Sequence, residues 1–371
     1  MKVLHLVSCR GWSSDAYWAA RVSRELARRG HEVVFGCRAG TEARVVEPAR
    51  REGVERVITF GFASGLRPRA DAADVQALRT WLPRSDVVHV HRGKEHWLAA
   101  IANRLGPAPR PVVRTRHIVN PIRAHAGNRW LYGAATALVV TVSEAIRKQL
   151  LAAGLASPDR VVALPGGADA TVYRPGAPDP ELRRRLGGVP GEPLVGMFGG
   201  LRVMKGHEVV VEAAARLTAR GLRARFVFVG RGPHVDRIRD AIRTARLGDR
   251  ITLAGFVDDL AGAMAAIDVA LYAPLESDGM SRVVFEYLAA GRPLVAARVG
   301  VVPEILTDGE HAMLVPGGDA AEIASALASL LGDPVRARRV ADAGRALMLE
   351  RYSGARVAEA LEARYARLTA A

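Results

Sequence analysis

Leu194-Val195-Gly196-Met197-Phe198-Gly199-Gly200-Leu201-Arg202-Val203-Met204-Lys205-Gly206 is the stretch that decides the fold. An apolar run of strand length passes into glycines, then a polar turn, and the helical periodicity of 208–220 follows. That succession is the opening of a parallel β-α-β unit. The chain begins in the same way: a strand at 3–7, the turn Arg10-Gly11-Trp12-Ser13-Ser14, and an amphipathic helix over 15–29 closed by Gly30. Between the two beginnings lies Tyr173-Arg174-Pro175-Gly176-Ala177-Pro178-Asp179-Pro180, whose prolines read as a connector.

Working outward, strand signals fall at 33–35, 86–90, 112–115, 138–142 and 161–164, then at 226–229, 251–253, 269–272 and 294–296. The tail from Ala320 is helical and broken near Gly332-Asp333-Pro334. The expected class is α/β: two doubly wound, Rossmann-like domains facing across a cleft. The expected boundaries are 1–172, a linker at 173–190, 191–350, and a C-terminal helix over 351–371 crossing back to the first domain. Ligands of such sheets sit beyond the carboxyl ends of the strands.

Composition narrows the function. At 371 residues, 49% hydrophobic and 25% charged, the chain suits two ordinary globular cores. Its longest charge-free stretch, 130–143, spans 14 residues and contains two threonines, against the about 20 apolar residues of a membrane span. No signal-peptide pattern opens the chain, and two cysteines, Cys9 and Cys37, suit a reducing compartment. The expectation is cytoplasmic. Charge is uneven: residues 1–172 hold 26 basic and 14 acidic residues, the remainder 27 and 24. A basic first half implies an anionic partner, with peripheral contact at the inner face of an anionic membrane among the readings. Nucleic acid is not expected, because no nucleic-acid motif accompanies the charge and aromatics are few.

Two constellations carry chemistry. Glycines at 199, 200 and 206 let a ligand approach the backbone, and Arg202 and Lys205 bring a guanidinium fork and a point charge to the same loop. Such cations stabilise charge developing on a departing diphosphate. The second constellation is Glu276-Ser277-Asp278-Gly279-Met280-Ser281-Arg282 followed by Glu286. A helix starting near Ser281 offers backbone N–H groups. Glu286 suits the vicinal hydroxyls of a ribose, and Asp278 suits sugar hydroxyls.

The cation pair and the acids eight residues apart resemble the family 4 retaining glycosyltransferases of GT-B fold. The resemblance runs along nearly the whole chain. It includes Gly30-His31-Glu32-Val33, Thr141-Val142-Ser143, Gly166-Gly167-Ala168-Asp169, Val229-Gly230-Arg231-Gly232-Pro233, Gly255-Phe256-Val257, Ala289-Ala290-Gly291-Arg292-Pro293 and Val302-Pro303-Glu304. It implies a glycosyltransferase that moves a sugar from a nucleotide-diphosphate sugar to a hydroxyl acceptor with retained configuration. The first domain then takes the acceptor, a glycan or glycolipid such as a cell-envelope precursor, and the second the nucleotide sugar. No cofactor and no metal are implied.

Residue by residue, the resemblance assigns Arg202 and Lys205 to the diphosphate, with Gly200 beside them, and Glu286 to the ribose. Asp278, with Gly279, Met280, Ser281 and Arg282, goes to the transferred sugar of the donor, and His117, ending Val112-Val113-Arg114-Thr115-Arg116-His117, lies near the same sugar. His89 and His91 match another strand end, as donor-facing groups or as braces; metal binding by the pair lacks an evident third ligand. Two departures stand out. Asp278 replaces the family's first glutamate, and Gly11-Trp12-Ser13-Ser14 replaces its N-terminal glycine loop, so that Gly11, Ser13 and Ser14 are the candidates there. A nucleotide-sugar 2-epimerase of the same fold and a catalytically idle sugar-nucleotide-binding scaffold remain open alternatives.

Overall fold

The computed structural model describes residues 1–277 and 279–370. It divides into two compact units: residues 1–167 with 354–371, and residues 168–353.

The sheet of the first unit is built from β1 (Lys2–Val7), β2 (Glu32–Arg38), β3 (Val57–Phe60), β4 (Val87–Val90), β5 (Val112–Arg116), β6 (Leu138–Thr141) and β7 (Val161–Ala163). Their order is β3-β2-β1-β4-β5-β6-β7, and every pairing is parallel. Parallel strands covered by helices on both faces are largely apolar, and Val3, Leu4, Leu6 and Val7 of β1 are all buried. One face packs Leu4, Leu6, Val88 and Val90 into a core with Leu78 and Leu98 of the helices Pro68–Trp81 and Gly93–Arg104. The other sets Val7, Phe35 and Cys37 against Ala16, Ala19 and Ala20 of the helix Ser14–Arg28. The helix Gly354–Ala370 belongs to this unit: Glu362 pairs with Arg29 and His31, and Tyr365 is buried.

The second unit repeats the plan with β8 (Leu194–Phe198), β9 (Arg225–Val229), β10 (Ile251–Gly255), β11 (Val269–Tyr272), β12 (Leu294–Ala297) and β13 (Met313–Val315). The order β10-β9-β8-β11-β12-β13 is again all parallel. In each sheet the chain runs outward from the first strand, then returns to its other side. The reversals fall between β1 and β4 and between β8 and β11, where crevices open beyond the strand ends.

The sequence reading did not include β3 and β13. Both are short edge strands, of four and three residues: β3 is only partly covered at Val57, Ile58 and Thr59, and β13 is too brief an apolar run to announce a strand. Within 173–190 lies the helix Pro180–Arg185, capped by the Asp179 carboxylate on the N–H of Glu181, with Arg183 paired to Asp268. The break in the helical tail is Asp333, whose carboxylate caps the helix Pro334–Leu347. No helix among the described residues is long and apolar enough to cross a membrane.

Candidate active site

The second unit builds its site at the β8/β11 reversal. Pairing of Val269 with Val195 and of Ala270 with Gly196 sets the two strand ends side by side. The loops beyond them are joined by a hydrogen bond from the N–H of Leu275 to the Met204 carbonyl, 2.8 Å. Gly206 closes the cationic loop with φ +76°, and a Cβ there would stand 2.0 Å from the Ala273 carbonyl oxygen. Only glycine fits such a position. Between its neighbours, the N–H of Arg202 donates to the Gly200 carbonyl at 2.9 Å and that of Lys205 to the Arg202 carbonyl at 3.0 Å. Arg202 is exposed and Lys205 half-buried, and Lys205 lines a small depression together with Gly199, Tyr272 and Pro274. Both cations sit on one short loop at the carboxyl edge of the sheet.

The helix Arg282–Ala289 points its start at the same edge. Tyr287, buried within it, accepts a hydrogen bond from the N–H of Phe198 at 2.8 Å and so ties the helix to the end of β8. Glu286 is buried, and its Oε1 lies 3.0 Å from Nε of Arg282, a charge contact across one helical turn. Ser281, just ahead of the helix, is held in the left-handed region at φ 57°, with its hydroxyl bonded to that of Tyr272. A non-glycine residue there costs about 1–2 kcal/mol, which the buried contact offsets. Met280 is buried, and the N–H of Gly279 donates to the Ser277 hydroxyl. Asp278 lies outside the described residues.

The first unit places its chemistry at the β1/β4 reversal. Register sets His5 beside His89, and His91 follows on the same face. His89 and His91 stack with ring centroids 4.5 Å apart. Nδ1 of His5 lies 3.2 Å from Nε2 of His91, and Nδ1 of His91 lies 3.1 Å from Nε2 of His117. A continuous row of imidazoles therefore runs from the buried sheet to His117, just beyond β5. Trp18 closes over it, its ring 5.5–6.0 Å from those of His89, His91 and His117. His89 spends one nitrogen on the Thr115 hydroxyl, 2.6 Å away, and the other on the Tyr365 hydroxyl.

Burial disfavours the charged imidazolium. It pushes His5 down to about 3 and His89 and His91 well below the ordinary histidine range. His117 is also held at about 3: burial lowers it, the Asp15 charge opposes, and Arg114, Arg92 and Arg116 add to the lowering. These rings are neutral at pH 7, so each gives one N–H donor and one bare acceptor. Asp15 is anionic. Burial opposes its ionisation, but the Arg92 hydrogen bond, His117 and Ser13 hold its carboxyl at about 2.

Ser13 donates its hydroxyl to Asp15 and receives a bond from Arg92 at 3.4 Å, so that hydroxyl belongs to a local network. Ser14 opens the helix with its side chain exposed, and Gly11 lies in the preceding loop. Sequence reasoning missed His5, the third histidine. The signal was a His inside an apolar strand, legible only once β1 and β4 are known to be neighbours. Nitrogens of His5, His89 and His91 lie within 4.8 Å of one another, a spacing a transition metal accepts. The donor set does not suit one. Both nitrogens of His89 and of His91 are committed to hydrogen bonds, and stacked rings hold their in-plane lone pairs in nearly parallel planes.

Two doubly wound units, with a cationic glycine loop and a buried acid at the second reversal and a histidine row at the first, define a glycosyltransferase of GT-B fold. Fold comparison agrees. A structure of Anabaena Alr3699/HepE in complex with UDP superposes with a TM-score of 0.84 over 99% of this chain and 100% of that one, at 21% identity. A glycosyltransferase from Rickettsia africae ESF-5 gives 0.86 over 99% and 98%, at 19% identity. The chain belongs to glycosyltransferase family 4. Residues 16–172 match the model of Glycosyltransferase Family 4, and residues 192–333 that of Glycosyl transferases group 1. A D-inositol 3-phosphate glycosyltransferase of Nocardia farcinica is 31% identical over 363 residues, 87% of this chain and 78% of the relative. A 2-deoxystreptamine N-acetyl-D-glucosaminyltransferase of Streptomyces fradiae is 30% identical over 92% of this chain and 88% of its own length.

Proposed function

We propose that the chain moves a sugar from a nucleotide-diphosphate sugar to a hydroxyl acceptor with retention of configuration. The observation that carries this is the second unit's strand-end site, where Arg202 and Lys205 share one glycine loop and Glu286 lies buried on the helix tied to β8. In this reading Arg202 and Lys205 hold the diphosphate and take up the charge that develops as the glycosidic bond breaks, the part a divalent ion plays elsewhere. Glu286 accepts from the ribose hydroxyls, and Gly200 and the 279–282 loop line the donor. Asp278 and neutral His117 hold the transferred sugar, and Gly11, Ser13 and Ser14 form the facing loop of the first unit's site. The acceptor hydroxyl attacks the face that the nucleotide leaves, and the departing phosphate oxygen takes its proton.

The solved HepE complexes with UDP and with UDP-glucose support a uridine nucleotide as the first donor to try. The basic first half supports an anionic acceptor, with a membrane-linked envelope glycolipid or polysaccharide precursor as one source and a phosphorylated polyol as another.

Calorimetric titration with UDP, GDP and ADP tests the reading. One nucleotide is expected to bind, and Arg202→Ala to weaken it about tenfold or more. Binding of none would overturn the nucleotide site, and binding without transfer or hydrolysis across many donors would favour the catalytically idle sugar-nucleotide-binding scaffold. Conversion of donor without any acceptor would favour the epimerase.

A further inference from the structure

Beyond the ends of β1, β2 and β3, a cavity of about 690 Å³ is lined by Arg10, Arg38, Ser64, Arg92 and Lys94, with Gly11 and Ser13 of the loop after β1 along its wall. We propose that it is an anion site, which takes the phosphate group of a phosphorylated acceptor. The inference rests on the glycosyl-transfer reading for the word acceptor, but not for the anion.

Four cations face this cavity, and two of them are already neutralised. Arg92 is paired with Asp15, and Lys94 with Asp71 and the Gly65 carbonyl. The other two are not. Arg10 Nε donates to Ser64 Oγ at 3.0 Å and Arg38 Nη1 donates to the same oxygen at 2.7 Å. Among the described residues neither guanidinium has a carboxylate partner. Two like charges are thus gathered on one neutral oxygen, an arrangement that an arriving anion relieves. A phosphate monoester carries about −1.5 to −2 at pH 7, which matches the unbalanced charge.

The hydroxyl itself adds a donor. A serine oxygen has two lone pairs and one O–H. With both lone pairs taken by arginines, the O–H of Ser64 is left to donate, so two guanidinium forks and a hydroxyl converge on one place. The loop that presents Ser64 is built in advance. Phe62 is buried in the left-handed region at φ 39°, and the Asp74 carboxylate accepts from the N–H groups of Gly61 and Phe62 at 2.7 Å each. Such strain persists only where the surroundings enforce it.

The test is titration of the whole protein with inorganic phosphate at low ionic strength, with UDP titrated in parallel. Saturable phosphate binding is expected, weakened about tenfold or more by Arg10→Ala and by Arg38→Ala, and less by Arg38→Lys, while the UDP titration stays unchanged. Arg10 is exposed and Arg38, at the end of β2, half-buried, and unchanged thermal melting confirms the folding of both alanine variants. Glycerol 3-phosphate and vesicles containing phosphatidylglycerol distinguish the source. Competition by the soluble ester assigns a free phosphorylated acceptor, and Arg38-dependent binding of vesicles alone assigns a lipid headgroup. Absence of saturable phosphate binding overturns the proposal. So does binding indifferent to both arginines, or parallel loss of UDP, which would give the cavity to the donor diphosphate. If UDP fails to bind but phosphate binds through Arg10 and Arg38, the anion site stands and the donor reading falls.

Discussion

Nδ1 of His91 lies 3.1 Å from Nε2 of His117, and both rings are neutral. One proton serves that contact, so the tautomer of His91 sets the tautomer of His117 and hence whether its outer nitrogen donates or accepts. His5 does the same for His91 one step deeper. The fold commits this row to orienting one ring, His117, at its outer end.

His91→Phe keeps a ring in the stack but removes the hydrogen bond. The expected outcome is a fall in kcat of about 10- to 100-fold, with the affinity for nucleoside diphosphate unchanged, since the contact positions His117 and touches no ligand itself. His91→Asn, which retains a polar group at the nitrogen, is expected to recover part of the loss. Steady-state kinetics beside nucleotide titration checks the split. Equal effects on kcat and nucleotide affinity would mean that the row merely supports the domain.

The same burial predicts acid sensitivity. His5 and His117 titrate near 3 in the folded chain and near 6.5 when unfolded, so below pH 6.5 the unfolded state binds more protons. Their contribution is complete above about pH 6.5 and is lost as the pH falls toward 3, at about 1.4 kcal/mol per pH unit for each ring. His89, His91 and His96 shift in the same direction, and Glu95, raised by burial, shifts the opposite way. Urea unfolding at pH 7 and pH 5.5 should differ by at least about 1.4 kcal/mol. A flat profile over that window would show that the rings are charged or solvated.

Much of the plan was legible because its signals are local. A run such as Leu194–Phe198 ending in Gly199-Gly200 is a strand and a turn wherever it occurs, and the cations of 202 and 205 must sit on that turn. What escaped depends on neighbours far along the chain. His5 reads as one polar residue in an apolar strand until β1 lies beside β4. Tyr365 meets His89 across 276 positions, and Arg10, Arg38 and Ser64 converge from the loop after β1, the end of β2 and the loop after β3. No period or motif announces such meetings, because they follow from strand order. Ser281 shows another limit: a left-handed serine has no compositional signal, and its contact with Tyr272 explains it only in the folded chain.

Glu286→Gln tests the ribose assignment with shape preserved. Its partner Arg282 is partly exposed, so water can solvate the guanidinium and the cost in stability should be small. The variant is expected to weaken UDP binding about tenfold, and to affect 2′-deoxy-UDP or pyrophosphate little, because only the full ribose offers the vicinal pair to a carboxylate. Equal weakening of all three would move Glu286 from the ribose to the support of the loop.

Gly206→Ala tests whether the cationic loop has one conformation. Its φ of +76° costs an alanine about 1–2 kcal/mol, and the added Cβ would meet the Ala273 carbonyl oxygen at 2.0 Å, so backbone must move. Either the chain past β11 shifts, carrying the Met204–Leu275 link with it, or the turn bearing Arg202 and Lys205 opens. Both displace the cations from the strand end. A loss of more than about 2 kcal/mol in unfolding free energy is therefore expected, with nucleotide binding reduced beyond what partial unfolding explains. Gly200→Ala is the control. Its Cβ would have 3.6 Å to its nearest neighbours, so its stability should stay near wild type and any loss of nucleotide affinity would report on space needed by the ligand. If Gly206→Ala bound nucleotide as the parent does, a rigid turn would not be what aligns the two cations.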